Sequence, residues 1–133
     1  MPGFSFKAYG HPNIRATQAT TFEFTKDPEV TPTGDCIIGV KADFVFPRLD
    51  SRKVIISMKV GDITERATAI LYDGFIDKEE MVVRKSDFLS DRTFAIHSDM
   101  AAKDLSQEFR EKLSDPSTII EVRIDEAKAD EEG

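Results

Sequence analysis

Apolar and polar residues alternate through much of this chain, most clearly over residues 53–60. Val54, Ile56, Met58 and Val60 fall on one face, with Ser57 and Lys59 on the other. Residues 119–124 follow suit, setting Ile120, Val122 and Ile124 against Glu121 and Arg123. Period two with β-branched residues predicts two half-buried strands. Residues 66–72 and 81–85 are further strand candidates, separated by Asp73-Gly74 and the charged turn Asp77-Lys78-Glu79-Glu80. Residues 14–25 alternate more weakly, with Ile14, Ala16, Phe22 and Phe24 sharing a parity that Gln18 and Thr20 interrupt. This predicts a strand or two short strands carrying a bulge or a half-open cavity. Two prolines and a glycine make residues 26–34 a loop.

Residues 35–43 predict a strand with Cys36, Ile38, Val40 and Ala42 on the core face and Asp35, Lys41 and Asp43 opposite. Residues 91–99 match it, with Arg92, Phe94, Ile96 and Ser98 against Asp91, His97 and Asp99. The period then changes. Ala101, Leu105, Phe109 and Leu113 recur at spacing four, which predicts an amphipathic helix over 100–113, capped by Asp99 and ended by Ser114-Asp115-Pro116. The shorter segment 44–52, broken by Pro47, predicts only a turn or a stub.

These matches follow one order, which points to an internal duplication. Gly10 precedes Arg15-Ala16-Thr17 as Gly61 precedes Arg66-Ala67-Thr68, and Asp35/Asp43 then correspond to Asp91/Asp99. Leu49 to Val60 corresponds to Leu113 to Ile124. The offsets are 66 − 15 = 51, 91 − 35 = 56 and 113 − 49 = 64, so the second copy carries insertions. The expectation is a mainly β (β-rich α+β) single domain over 1–125, made of pseudo-repeated strand-strand-(helix)-strand units at about 6–60 and 61–125. Either a closed barrel or a two-sheet sandwich with one main helix suits that order. Residues 126–133 read as an acidic disordered tail.

A chain of 133 residues is long enough to bury a core without disulfide or metal staples. Cys36 is the only cysteine, so no disulfide framework exists and a reducing, cytoplasmic location is the expectation. No stretch has the pattern of a signal peptide or a membrane span. A net charge of −7 argues against broad contact with nucleic-acid phosphates.

Several residues are candidates for chemistry. Gly10-His11-Pro12-Asn13 is a turn signal that also aims His11 and Asn13 at a possible ligand. Arg15 and Arg66, matched in the repeat, suit either structural pairs with Asp35 and Asp91 or a shared anion site, because guanidinium holds oxyanions through two bonds. Asp43 and Asp99, with Asp35 and Asp91, offer oxygen ligands for Mg²⁺ or Mn²⁺. An eight-residue step along a strand spans roughly 26 Å, however, so any such site must pair carboxylates between the copies. The two histidines, His11 and His97, do not suggest zinc. Cys36 reads as core packing, and there is no phosphate loop, nucleophile elbow or dinucleotide fingerprint.

GHPNIRAT, GDCIIGVKAD and SDRTFAIHSDMAAKDL resemble the signature segments of the mostly archaeal family called domain of unknown function 371, over Phe6 to Ile124. The resemblance implies a single compact β-rich domain with one or two helices and no assigned activity. Members of that family often carry His where this chain has Gln18, and Asp-Lys-Ala-Ala where it has Asp99-Met100-Ala101-Ala102. No role of that histidine or that lysine carries over.

The functional expectation is binding of, or action on, a small anionic metabolite in a cleft between the copies. Arg15, Arg66 and Arg92 supply charge, His11, Asn13 and Gln18 supply hydrogen bonds, and Asp35 and Asp91 supply orientation or acid–base work. Whether this amounts to an enzyme stays open. The alternative is a non-catalytic interaction module, as a homodimer or in a larger assembly, and the third reading is weak RNA binding.

Overall fold

The computed structural model describes residues 3–47, 49, 52–75 and 77–127. Alternation produces most of its strands: β1 (Gly3–Tyr9), β2 (Thr21–Thr25), β3 (Ile37–Gly39), β4 (Lys53–Val60), β5 (Ile63–Leu71), β6 (Glu80–Arg84), β7 (Thr93–Ile96) and β8 (Ile119–Glu126). They form an 8-stranded sheet in the order β1-β8-β4-β5-β7-β6-β2-β3. The sheet is open and sandwich-like, and one isolated antiparallel bridge, Tyr9 to Val40, links its two ends. The half β1-β8-β4-β5 is antiparallel throughout. In the other half β2 and β6 cross antiparallel, while β3 runs parallel to β2 and β7 parallel to β6.

The core lies between the halves. Phe6, Ile56, Met58, Ile120 and Ile124 from one meet Phe22, Phe24, Met81, Val83 and Phe94 from the other. Edge-to-face contacts of Phe6 with Phe24 and Phe44, each at 5.3 Å between centroids, knit the centre together.

The predicted long helix is broken. A 3₁₀ turn, Ala102–Asp104, precedes α1 (Gln107–Leu113), whose cap is Ser106, accepting from the Phe109 N–H at 3.2 Å. Phe109 and Leu113 are buried, so the apolar stripe is used as its spacing implied. Gly10 and His11 fasten the helix end, with N–H groups donating to the Thr118 and Leu113 carbonyls. A Cβ at Gly10 would collide with the Asp115 carbonyl oxygen, so this turn requires glycine.

Several expectations are corrected. Residues 14–20 are loop rather than strand, with Ala16 at φ +52. The two predicted nine-residue strands are cut short because Lys41 and His97 turn into the left-handed region, at φ 54 and 55. Gly61 belongs to the β4–β5 turn at φ +57, which puts Arg66 inside β5 and leaves Arg15 in the loop after β1, so the two arginines are not equivalent. β1 itself, with Phe6 and Ala8 inward and Ser5 and Lys7 outward, is a strand the sequence reading passed over. Glu126 ends β8, and the Ala127 N–H just beyond it donates to the Lys53 carbonyl, so these two residues are tied to the fold rather than part of a tail. The rest of the expected tail, 128–133, lies outside the described residues.

Asp43 and Asp99 serve the turns at Lys41 and His97. Asp43 Oδ1 accepts from the Lys7 N–H at 2.7 Å while its own N–H donates to the Lys7 carbonyl at 3.1 Å. Asp99 makes the same two bonds with Thr68, at 3.0 and 3.1 Å. Each aspartate thus clasps the neighbouring strand where the backbone is held in an unfavourable conformation. Asp43→Ala and Asp99→Ala should each lower stability by about 1 kcal/mol, read from the urea midpoint, and Asp→Asn should restore most of it. Unchanged midpoints in both alanine variants would contradict the clasp.

Candidate functional site

β2 and β6 pair with Glu23 opposite Val82. Phe22 and Phe24 point into the core, so alternation turns Glu23 to the other face of the sheet. That face is also covered, and Glu23 is only 3% exposed. Its Oε1 accepts from the Cys36 thiol at 3.4 Å and lies 4.0 Å from Arg92 Nη1. Its Oε2 is buried with no hydrogen-bond partner. Arg92 Nη1 donates to Glu80 Oε1 at 2.9 Å. On the same face Arg84 Nε donates to Thr93 Oγ1 at 2.9 Å and its Nη2 to Ser90 Oγ at 3.3 Å, and the guanidinium rests on the Phe88 ring. Among the described residues no carboxylate lies within ion-pair distance, 4.0 Å, of Arg84.

Burial dominates the electrostatics. It pushes the Glu23 carboxyl up to about 7, with the Glu80 charge adding to the rise and the Cys36 thiol, Arg92 and Arg84 only partly offsetting it. Burial, reinforced by the Glu23 charge, pushes the Cys36 thiol up to about 12. Cys36 is therefore a protonated donor at neutral pH, not a thiolate nucleophile. Arg84 is lowered, first by burial and then by repulsion from Arg92, whereas the hydrogen bond to Glu80 raises Arg92. The arrangement can exchange a proton near neutral pH beside two guanidinium groups.

Of the sequence candidates, only Arg92 belongs to this centre. Asp35 holds a local network: its carbonyl accepts from Thr17 and Gln18, and its carboxylate from the Thr17 hydroxyl and the Gln18 amide, each at 3.4 Å. His11 pairs with Glu29 at 3.2 Å and accepts from the Asn13 N–H, and Asn13 donates to the Val30 carbonyl, so that loop is tied to itself. Asp91 is exposed, and its carbonyl accepts from the Asp77 N–H. Among the described residues no ion pair joins Arg15 or Arg66 to Asp35 or Asp91, and no group of three His, Cys, Asp or Glu residues is placed to hold a metal ion. Cys36 leaves the core face assigned to it because the chain joins β3 only at Ile37.

Sequence reasoning missed Glu23 because period two made it a solvent-facing residue between two phenylalanines. A signal was nonetheless present. Residues 35–43 and 91–99 align in the sequence with Cys36 against Arg92, and in the structure both of these side chains lie against Glu23.

An open, mainly β sandwich with one short helix among the described residues and a buried acid at the antiparallel β2–β6 crossing defines the class. A family model described as Domain of unknown function (DUF371) matches residues 6–127. A protein of Methanocaldococcus jannaschii described as uncharacterized is 35% identical over 131 residues, covering 88% of this chain and 95% of its own length. The chain belongs to the DUF371 family.

The raised acid has a consequence for stability. Between roughly pH 4.5 and 7 the folded chain holds a proton that the unfolded chain releases, so stability falls as pH rises through that window and stays lower above it. Glu23→Gln should therefore stabilise the protein at pH 8 by up to about 3 kcal/mol, and by much less at pH 4, read from chemical denaturation. Equal effects at both pH values would show that Glu23 titrates alike in the folded and unfolded chains, with no raised acid.

Proposed function

We propose that the protein binds a small oxyanion-bearing metabolite at the β2–β6 seam. Arg84 and Arg92 supply charge, the Ser90 and Thr93 hydroxyls supply hydrogen bonds, and the protonated Glu23 carboxyl donates to an anion oxygen. One observation carries this reading: Glu23 Oε2 is buried without a partner beside two mutually repelling guanidinium groups. Such an oxygen costs stability, and costs of this kind concentrate at functional sites. Arg84 supports the same reading, because its half-buried charge meets only hydroxyl oxygens and an aromatic face. An anion between the guanidinium groups would relieve their repulsion.

Recurring backbone contacts support the view that 6–60 and 61–125 are copies of one unit. Lys26 N–H to the Glu79 carbonyl and Lys85 N–H to the Thr20 carbonyl, both at 2.8 Å, are one such pair. Glu23 N–H to the Cys36 carbonyl and Val82 N–H to the Arg92 carbonyl, both at 2.9 Å, are another. On this reading the anion sits where the copies meet, and the first copy contributes the acid while the second contributes both arginines. The free thiol of Cys36 fits a reducing, cytoplasmic setting.

Sulfate, whose charge is constant across neutral pH, is the test ligand. With a carboxyl titrating near 7, the protonated fraction falls about tenfold from pH 6 to pH 8, and sulfate affinity measured by calorimetry should fall with it. Glu23→Gln, which always donates, should bind sulfate at both pH values, and the double variant Arg84→Gln/Arg92→Gln should lose it. Sulfate binding that ignores both pH and the double variant would overturn the reading.

A further inference from the structure

The two halves differ most where the second carries its helical segment. There Lys85, just after β6, makes an ion pair with Asp104 of the 3₁₀ turn at 2.7 Å. Lys26, just after β2, occupies the corresponding place, since its N–H donates across the seam to Glu79 as that of Lys85 does to Thr20. The segment after Ala42 forms no helix among the described residues, and there no carboxylate pairs with Lys26. What stands there instead is a cavity of about 400 Å³ walled by Phe44, Phe46 and Phe75, with Val45, Lys26 and Lys78 also on its lining.

This cavity has an aromatic wall and unspent positive charge. Phe46 stacks on Phe44 at 4.7 Å and on Phe94 at 5.0 Å, and Phe75 meets Phe46 edge-on at 5.1 Å, so the rings are fixed by the core behind them. The Lys26 ammonium lies 5.0 Å from the centroid of the Phe44 ring. Asp77 also lines the cavity, but its Oδ1 accepts from the Glu79 and Glu80 N–H groups at 2.8 and 2.7 Å, which commits that carboxylate to the backbone. Lys26 and Lys78 form no ion pair among the described residues. Val45, 81% exposed, leaves the mouth open.

We propose that this cavity is a second binding site, for a flat apolar molecule bearing one anionic group, with the apolar part against Phe46 and Phe75 and the anion between Lys26 and Lys78. The ligand then does in the first half what Asp104 does in the second: it neutralises the lysine that follows the crossing strand. A mostly apolar pocket with a few convergent polar groups has the make-up of a small-molecule site. The proposal stands apart from the seam site, because none of Glu23, Arg84 and Arg92 lines the cavity.

Naphthalene-2-carboxylate and its neutral carboxamide are suitable probes, titrated by calorimetry. The carboxylate should bind about tenfold or more tightly than the amide, a difference of about 1.4 kcal/mol. Lys26→Gln/Lys78→Gln, a substitution of surface-reaching side chains, should bring the carboxylate down to the level of the amide and leave the amide unchanged. Arg84→Gln/Arg92→Gln should change neither. Equal affinities for the two probes, no saturable binding of the carboxylate, or a preference that survives the lysine variant and disappears in the arginine variant would each overturn the proposal. That last outcome would assign the anion to the seam instead.

Discussion

The antiparallel crossing of β2 and β6 is the constraint on which the rest of the structure depends. These two short strands join the halves of the chain, and each carries a parallel partner, β3 or β7, on its outer side. Short parallel partners cannot be reached by tight hairpins, so the chain arrives by loops and leaves through left-handed turns at Lys41 and His97. Those turns in turn need Asp43 and Asp99 to fasten them to β1 and β5. The four-stranded antiparallel half closes over the phenylalanine-rich core behind the crossing.

The crossing also explains why a carboxyl group is buried. At its centre alternation puts one side chain from each strand on the outer face, Glu23 from β2 and Val82 from β6. Both are covered, at 3% and 2% exposure, and an apolar pair would suit packing better. The chain instead keeps an acid whose charged form is penalised and whose second oxygen has no partner. Around it stand a thiol, Cys36, and a guanidinium, Arg92. The proposed anion site uses this gathering of unlike groups around one buried carboxyl.

Long alternating stretches were readable in the sequence because burial of one face leaves period two: β4, β5 and β8 lie within a few residues of where the pattern put them, while β6, buried on both faces, was placed by its apolar run and the turn signals before it. The helix stripe Phe109 and Leu113 was readable for the same reason, but its break at Leu105-Ser106 was not, because a 3₁₀ turn preserves the burial of Ala102 and Leu105. The cut strands were hidden because Lys41 is not a residue type that announces a positive φ, and His97, of a type that does favour it, sits inside an alternating run that reads as strand. Of the candidate site residues, Arg92 reached a shared centre, whereas Asp43 and Asp99 serve turns and His11, Asn13, Gln18 and Asp35 serve loops. Their polar groups bind backbone or near neighbours, a use that identity and spacing alone do not distinguish from ligand binding. Glu23 was invisible for the opposite reason, since a strand buried on both faces breaks the rule that made its neighbours legible.

The most direct measurement is a carbon-detected NMR titration of the Glu23 carboxyl, with and without saturating sulfate. The account predicts a midpoint near 7 in the free protein, moving upward when sulfate binds because the anion favours the protonated acid. A midpoint near that of an ordinary glutamate, or one that sulfate leaves in place, would contradict it.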